Sequence, residues 1–556
     1  MQIFLISFFI TLSFYTFGIL FVKKLKFHNF LNKFSLCCVF GAILVSFIAL
    51  TLNFFLPLGK NTGNFFIIFS SVFFLVYFFK DINKIDILKY SLLLSAIVTL
   101  LVLYSNINRP DAGLYHLPYI QLINEHKILL GISNIHLRFG HVSILQYLSA
   151  IYNSNYFPLE TIVLPPAILA GAIFLYFFSF LDKKFNYFEL KIYVCLIIIY
   201  SLYSLNRYSG FGNDATTHLL CFLLTIIFLQ KNFKIKNIDD FSIISIISTY
   251  LFMQKTFMIL LPIVCFSIYI IYLLKENIYK NIKILFSILL IFSWIIKNIL
   301  VSGCAIFPIS LSCLENLSYV NIEEIKKFEI SAESWSKDWP NRADKNIKMV
   351  NFNGDFNWIH DWYNNHFKII IKKVIPYILL ILTILICTIL KFGVRKKAIN
   401  EKFFKKNYLL IFFSFLFSIM WFLKFPIYRY GQSFLAILFI SSFTLIFIYF
   451  TEVKKIYRIF MITSIIFALA VITKNFLRIY KKNDIRNMWP NIYTLSEIKE
   501  DNYKKQLIPI YYNNTFIYYF SKDGECMYNL SPCSNFMKKQ INKKTKKGYE
   551  IFYIED

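Results

Sequence analysis

The sequence has 556 residues, of which 57% are hydrophobic and only 16% are charged, and its mean hydropathy is +0.57. A water-soluble core cannot bury this much Phe, Ile and Leu, so the composition excludes a soluble globular protein and predicts a polytopic membrane protein. The formal net charge of +28 does not indicate nucleic-acid binding, because Lys and Arg occur mainly in short clusters between apolar segments.

About fourteen apolar segments are bounded by charged residues, and each approaches the length needed to cross a hydrocarbon layer of about 30 Å at about 1.5 Å per residue. They lie at 3–22, 34–57, 64–79, 90–107, 158–181, 190–206, 216–230, 241–253, 257–274, 283–302, 369–391, 408–424, 432–451 and 459–475. At 253–256 the sequence leaves two alternatives, a tight turn between helices or a polar interruption of one broken helix. The first segment predicts a retained helix rather than a signal peptide, because it lacks a basic start and a small-residue cleavage site.

Alternate loops are rich in basic residues, and the positive-inside rule assigns these loops to the cytoplasm. They contain Lys23, Lys24 and Lys26, then Lys80 and Lys84, Lys183 and Lys184, Lys231, Lys234 and Lys236, Lys275 and Lys280, the segment 391–406, and Lys454, Lys455 and Arg458. We therefore expect a protein of the bacterial inner (cytoplasmic) membrane with both termini periplasmic. Three regions are predicted: N-terminal transmembrane helices at 1–89, a transmembrane core at 90–475 with outer loops 108–157 and 303–368, and a small periplasmic domain at 476–556.

Cysteine usage agrees with this orientation. Six cysteines lie in apolar segments, where a thiol behaves as a small hydrophobic group. The other four form two outward pairs, Cys304 with Cys313 and Cys526 with Cys533, and an oxidising periplasm permits a disulfide in each. Neither pair is accompanied by the second ligand pair that a zinc site requires.

The predicted outer loop 108–157 concentrates ionisable residues at a membrane boundary, where such groups cost free energy unless they pair or function. It begins with Arg109-Pro110-Asp111 and includes Tyr115, His116 and Arg138. Pro118 opens an amphipathic helix and a second apolar stripe follows after Val142, and both are too short to span a membrane. The histidines are spaced about ten residues apart and share no helical face, so no metal site is predicted from them, although a divalent metal stays open.

These features resemble the GT-C superfamily of polytopic membrane glycosyltransferases, which use polyprenyl-phosphate-linked sugars. The resemblance rests on an early outer-loop acid followed by an aromatic residue, Asp111 with Tyr115, and on two helices lying along the membrane surface. A second similarity is Trp294-Ile-Ile-Lys297-Asn298, followed by Ser302-Gly303 and Phe307-Pro308, which is similar to the pattern closing the corresponding helix in protein mannosyltransferases and lipid A aminoarabinose transferases. It covers roughly residues 90–475.

The resemblance implies a GT-C-like core within the predicted all-α polytopic membrane protein, to which the strand pattern of the tail adds a small α/β periplasmic domain. Its expected activity is inverting transfer of a sugar from a polyprenyl-phosphate donor to a cell-envelope glycan or lipid acceptor, with membrane lipids and no nucleic acid as further partners and no cofactor. Asp111 is the expected catalytic base, and Asp214 is a second acid that binds acceptor or a metal. The expected substrate-binding residues, among them cations for the departing phosphate, are Tyr115, His116, Arg138, Lys255, Lys297, Asn298 and Arg429.

Other interpretations remain beside this one. A polysaccharide polymerase, a ligase, or a flippase or transporter of lipid-linked glycans shares many helices, although a transporter should show related halves and charges at mid-membrane depth. A purely structural or export role is a further alternative. Asp111 beside Pro110 is also ordinary turn chemistry, and Lys297 and Arg429 are also compatible with side chains that only extend to the interface.

Two further segments lie outside the predicted spans. The loop at 314–366 carries several glutamates and four tryptophans, which suit either sugar binding or a folded cap. The tail predicts strands at 507–512 and 515–520 around an Asn513-Asn514 turn, and a third strand at 549–554.

Overall fold

The computed structural model of the protein describes residues 2–22, 25, 27–103, 111–182, 185–206, 214–230, 238–273, 281–354, 356–393, 401–481, 507–522, 524–538 and 540–555. Several residues used in the sequence argument lie outside these described residues. They are Arg109 and Pro110, and the basic loop residues Lys23, Lys24, Lys26, Lys183, Lys184, Lys231, Lys234, Lys236, Lys275 and Lys280 together with the segment 394–400.

The protein is mostly helical. In chain order the α-helices of the described residues are α1 Gln2–Val22, α2 Phe30–Leu52, α3 Lys60–Lys80, α4 Lys84–Leu103, α5 Leu117–Glu125, α6 Ile144–Ala150, α7 Leu164–Ser179, α8 Phe188–Ser204, α9 Asp214–Gln230, α10 Ile238–Gln254, α11 Leu260–Leu273, α12 Ile282–Ser302, α13 Ile322–Ser336, α14 Met349–Asn353, α15 Ile359–Trp362, α16 Lys368–Phe392, α17 Glu401–Lys424, α18 Tyr428–Phe450 and α19 Val453–Lys481. The strands are β1 Leu507–Tyr512, β2 Thr515–Ser521, β3 Cys533–Ser534, β4 Ile541–Lys546 and β5 Tyr549–Ile554.

Ten helical segments of the described chain are long and apolar enough to cross a membrane, which makes this a multi-pass membrane protein. They contain α1 to α4, α7, α12 and α16 to α19. The four remaining predicted spans coincide with α8, α9, α10 and α11, which are shorter helices of 17, 17, 17 and 14 residues. A count of fourteen spans therefore depends on these four helices.

The predicted interruption near Met253 is a tight turn. Lys255 is extended (φ −144°, ψ 118°), and a single 3-10 turn follows at Thr256–Met258 before α11 begins. Helix α11 then packs back along α10, which brings Cys265 beside Ser248. The alternative of one long broken helix is thereby excluded.

Successive long helices run in opposite directions between the same two ends of the bundle. We call the end that carries residues 111–157 the loop end. There α9 begins beside the end of α10, and Thr217 donates a hydrogen bond to Gln254 Oε1 at 2.9 Å. At the opposite end α9 finishes beside the start of α17, where Lys406 Nζ donates to the Phe228 carbonyl at 3.3 Å.

Helices α1 to α4 are part of the main bundle. Gly18 and Gly41 allow α1 and α2 to cross closely, because a Cβ on Gly18 would overlap the Cys37 carbonyl and one on Gly41 would overlap that of Phe14. Helix α2 also packs on α6 and α7, and α4 packs on α7. Helix packing therefore continues across the predicted boundary at residue 89, which falls inside α4.

Three segments distant in sequence form one layer at the loop end: residues 111–157, 303–367 and 507–555. Asn134 joins all three, since its Nδ2 donates to the Tyr319 carbonyl at 2.8 Å and to the Phe552 carbonyl at 2.9 Å. Leu130 forms a parallel bridge with Ile551. The C-terminal segment thus lies on the same side of the bundle as both long loops.

The C-terminal segment is built from two small sheets. β1 and β2 form the predicted antiparallel hairpin around Asn513 and Asn514, both at positive φ (46° and 59°), and β3 pairs with β2 in parallel. β4 and β5 form a second antiparallel pair. β4 lies in the lysine-rich segment and was not predicted. The described residues from 507 to 555 contain strands and no helix, and residues 482–506 of the predicted α/β domain lie outside the described residues.

The tryptophan-rich loop is a folded cap over the ends of α17 and α18. Trp358 is fully buried, and Trp362 Nε1 donates to the Pro426 carbonyl at 2.7 Å. Trp339 stacks under the Arg342 guanidinium, 3.8 Å from its ring centre. Only Trp335 is largely exposed among the four. These contacts favour the cap over a sugar-binding surface.

Cysteine labelling tests the shared side of the loops and the tail. In a background with Cys387→Ser, we expect an impermeant thiol reagent added from outside to label Lys345→Cys and Lys546→Cys, which are exposed at the loop end. It should spare Asn83→Cys and Glu401→Cys, which are exposed at the opposite end. Labelling of Lys345→Cys only from the cytoplasmic face would contradict the arrangement.

Candidate functional site

Asp111 is the first described residue of the segment 111–157 at the loop end. A single π-helical turn, Ala112–His116, follows it and continues into α5, with Pro118 in the first turn of that helix. The turn carries Tyr115 and His116, which follow Asp111 by four and five residues. At this spacing both side chains lie on the same face of the turn as Asp111. This local geometry explains why an acid, an aromatic ring and an imidazole occur together here.

Each carboxylate oxygen of Asp111 faces a different arginine. Arg429 Nη1, from the first turn of α18, lies 3.2 Å from Oδ2. Arg138 Nη1, from the 3-10 turn Leu137–Gly140, lies 3.6 Å from Oδ1. The predicted base and two predicted phosphate ligands therefore form one group, although Asp111 and Arg429 are 318 residues apart in sequence.

The arginines change the chemistry of this carboxylate. Burial raises the pKa of Asp111, but the positive charges of Arg429 and Arg138 outweigh burial and hold the pKa below its usual range. The carboxylate is ionised at neutral pH, and as long as both ion pairs persist it is a weaker proton acceptor than a free aspartate. A general base works best with a pKa near the working pH, so this paired state is not the one best suited to catalysis.

A second ion pair lies beside the first. Lys255 Nζ contacts Asp214 Oδ1, and Lys255 lies 4.7 Å from the ring centre of Tyr430. The hydroxyl of the same Tyr430 accepts a hydrogen bond from Arg429 Nη2 at 3.3 Å. Tyr430 therefore connects the pair at Asp111 with the pair at Asp214.

We call Asp111, Asp214, Arg138, Lys255 and Arg429 the charge cluster. It contains three cations and two carboxylates, so it carries one net positive charge. The side chains of Arg138 and Arg429 are 41% and 34% exposed, whereas that of Lys255 is 13% exposed. The cluster is thus half-buried and open to a ligand on its arginine side.

Aromatic and polar side chains enclose this cluster. The Arg138 guanidinium lies 4.6 Å from the ring centre of Tyr115. Burial, joined by the positive charge of Lys255 and opposed by Asp111, lowers the pKa of His116 to about 3. His116 is therefore neutral at pH 7, and its Nδ1 lies 3.3 Å from Gln146 Nε2.

Three supporting residues were not anticipated from the sequence. Tyr430 has the contacts above, and Gln146 is buried against His116. His218 fixes the first turn of α18, because its Nε2 lies 2.8 Å from the Arg429 carbonyl and its Nδ1 lies 3.1 Å from Ser433 Oγ. A usable signal existed for His218, which follows Asp214 by four residues and so shares its helical face.

Lys297 and Asn298 do not join the charge cluster. Lys297 is 1% exposed; its Nζ donates to Asn53 Oδ1 at 2.8 Å and lies 4.4 Å from the ring centre of Phe54. Asn298 Nδ2 donates to the Trp294 carbonyl within its own helix. The ammonium group of Lys297 is enclosed and ties α12 to the end of α2, so in this structure Lys297 lies apart from the other predicted phosphate ligands.

Both predicted cysteine pairs are bridged in the structure, Cys304 with Cys313 and Cys526 with Cys533. The second bridge closes a loop that packs on the Asp111 segment, where Met527 N donates to the Gly113 carbonyl at 2.9 Å. Gln121 Nε2 donates to the Asn529 carbonyl at 2.6 Å in the same region. The C-terminal unit therefore supports the turn that carries Asp111.

Among the described residues, no group of three or more His, Cys, Asp or Glu side chains is placed where it could hold a metal ion. The histidines of the loop end have other neighbours instead. His136 Nε2 lies 2.9 Å from Asn535 Oδ1, and the ring of His141 packs edge-on against Phe307.

The sequence pattern of a domain of unknown function, DUF8201, matches residues 1–436. The chain belongs to this family. The matched region contains α1 to α4 and every residue of the charge cluster, and it ends within α18, before the C-terminal sheets. No curated protein and no solved structure matches the chain.

Proposed function

We propose that this protein is a glycosyltransferase of the bacterial inner membrane with a GT-C-like core. It would transfer a sugar from a polyprenyl-phosphate-linked donor to a cell-envelope acceptor. In this proposal α8 to α11 also cross the membrane, which gives fourteen spans, and the loop end with both termini faces the periplasm. The observation that carries the proposal is the charge cluster itself, an acid between two arginines with a lysine beside them, half-buried at the loop end of a transmembrane bundle.

The reaction assigns a role to each member of the cluster. The acceptor hydroxyl attacks the anomeric carbon and gives its proton to the Asp111 carboxylate. The bond from that carbon to the phosphate oxygen breaks, its electron pair leaves with the polyprenyl phosphate, and Arg138, Arg429 and Lys255 balance the new negative charge. One displacement inverts the anomeric centre. Asp214 holds Lys255 in place and is available to the acceptor.

The location of the cluster supports a lipid-linked donor. Arg429 lies in the first turn of α18, one of the ten long apolar helices, and if α18 crosses the membrane as proposed, its guanidinium is near the depth where a membrane lipid carries its phosphate. Guanidinium groups bind phosphate oxygens through paired hydrogen bonds, and two of them converge here. The ring of Tyr115 beside Arg138 offers a flat apolar face suited to a sugar ring.

Lipid binding to the purified protein in nanodiscs tests the proposal. We expect undecaprenyl phosphate to bind and undecaprenol to bind far more weakly, because the alcohol lacks the charged group. Arg429→Ala should weaken binding of the phosphate lipid by about tenfold or more, since it removes a half-buried charged hydrogen-bond donor.

Lys424→Ala is the matched control. Lys424 also ends a helix at the loop end, but its Nζ lies 3.2 Å from Glu333 Oε2 and it is not part of the charge cluster. Equal binding of undecaprenol and undecaprenyl phosphate would remove the basis of the proposal. So would equal losses in Arg429→Ala and Lys424→Ala, and the flippase and polymerase alternatives would then need separate assays.

A further inference from the structure

The two arginines of the charge cluster are already occupied. Arg138 and Arg429 come from different elements, a 3-10 turn of the outer segment and the start of α18, and both extend toward Asp111. One carboxylate therefore occupies the place where two guanidinium groups meet. Carboxylates and phosphates bind guanidinium with the same geometry, so a phosphate would bind these two arginines in the same way.

The Asp111 carboxylate does not accept hydrogen bonds from all the buried donors of the two arginines. Arg429 Nε is buried and, among the described residues, has no hydrogen-bond partner, although Nη1 and Nη2 are bonded to Asp111 and Tyr430. An unpaired buried N–H costs free energy until an acceptor reaches it. A phosphate has more acceptor oxygens than a carboxylate, so it can engage two guanidinium groups more completely.

Resting on the proposed function, we propose that the donor phosphate and the Asp111 carboxylate compete for Arg138 and Arg429, so that donor binding itself frees the catalytic base. Before donor binds, both arginines neutralise Asp111 and the carboxylate is a poor proton acceptor. When the phosphate takes the arginines, the carboxylate loses its compensating charges beside a newly bound anion, and its affinity for a proton increases. The base becomes active only when there is a leaving group to expel.

The direction of the pKa shift agrees with this geometry. The two positive charges hold the pKa of Asp111 low against the opposing effect of burial. Their removal would leave burial as the dominant influence, and burial raises the pKa of a carboxyl group. The acceptor proton then has a stronger base to move to, and it stays on Asp111 until the product leaves.

The inference predicts an unusual response to a single substitution. Asp111→Asn removes the competing charge and leaves a side chain of the same size, so it should tighten binding of undecaprenyl phosphate by roughly tenfold, as expected for loss of two partly exposed competing ion pairs. Inorganic phosphate, measured in parallel, should bind more tightly to the same degree if the headgroup alone is recognised. A gain for the lipid only would assign the site to a membrane-anchored phosphate.

The control separates arginine release from a general change of charge. In an Arg138→Gln/Arg429→Gln background, Asp111→Asn should tighten binding far less, because no arginine remains to be released and only the repulsion between carboxylate and phosphate is relieved. An equal tightening in that background, or no tightening in the Asp111→Asn protein, would overturn the inference. The proposed function would survive either result as long as the wild-type protein binds undecaprenyl phosphate in preference to undecaprenol.

A structure of the wild-type protein with undecaprenyl phosphate tests the same point without a variant that has to fold. We expect both guanidinium groups to contact the phosphate and to have left the Asp111 oxygens. If both ion pairs to Asp111 persist beside a bound phosphate, competition is excluded. If the lipid binds away from both arginines, the inference and the proposed function both fail.

Discussion

Under the proposed function, Asp111→Asn is expected to lower the rate of sugar transfer by about a hundredfold or more, because an amide cannot accept the proton of the attacking hydroxyl. The substitution keeps the size and planarity of the side chain. Membrane insertion and folding should therefore persist, and tighter binding of the lipid phosphate would accompany the loss of turnover. The measurement is the cell-envelope glycan profile by mass spectrometry at matched protein expression.

Asp344→Asn is the matched control for this experiment. Asp344 is exposed in the cap at the loop end, where it accepts a hydrogen bond from the Asn346 backbone N–H and is not part of the charge cluster. Its substitution should leave the glycan profile unchanged. An unchanged profile in Asp111→Asn would show that the base is assigned wrongly. If Asp214→Asn also had no effect, we would replace the transferase proposal by the transporter or flippase alternative.

Trp294→Ala is expected to destabilise the protein by about 3–5 kcal/mol, the range for truncation of a large buried aromatic side chain. Trp294 is 1% exposed, and its ring packs edge-on against Phe252 with ring centres 5.0 Å apart. Its Nε1 donates to the Val142 carbonyl at 2.7 Å, so truncation also leaves a buried carbonyl without its donor. Thermal unfolding of the detergent-solubilised protein measures the loss.

Phe292→Ala provides the comparison within the same helix. Phe292 lies two residues earlier in α12 but is 59% exposed on the surface of the bundle. Its truncation removes few protein contacts and should change the unfolding temperature little. A similar loss in both variants would mean that α12 as a whole, rather than the anchor at Val142, limits stability.

The contacts of Trp294 and Lys297, both in α12, bear on the sequence resemblance that suggested a function. The Trp294-to-Pro308 motif looked like part of a donor site, yet Trp294 and Lys297 fasten the outer segment and the end of α2 to this helix. Through these contacts the motif positions the loop end. The proposal of phosphate chemistry therefore depends on Arg138, Lys255 and Arg429 rather than on this motif.

Features that depend only on residues adjacent in the sequence were correctly predicted. The apolar runs coincide with helices, since the length and hydropathy of a segment are properties of that segment alone. The Asn513-Asn514 turn was correctly predicted because two residues that tolerate positive φ favour a tight hairpin. β4 was missed for a related reason. Its lysines resemble a solvated charge cluster, and only pairing with β5 makes the segment a strand.

The charge cluster required more than local information. Asp111 was identified from its position beside the end of an apolar run, and Arg138, Lys255 and Arg429 were identified as cations near the same boundary. Lys297 satisfied that criterion equally well, and the sequence could not separate it from Arg429. The difference arises from helix packing, which encloses Lys297 against Asn53 and Phe54 and leaves Arg429 half-exposed beside Asp111.

By itself, then, the sequence determined that this is a multi-pass membrane protein, where its helices lie, and that acids and cations collect near one boundary. Hydrophobic length and charge placement are read along the chain, so no partner needs to be known. Only the tertiary structure decided that Asp111 is paired with two arginines, that Tyr430 joins this group to Lys255, and that the C-terminal sheets support the Asp111 turn. These contacts join residues that are in many cases hundreds of positions apart, and the order in which the helices pack, which no local pattern encodes, brings them together.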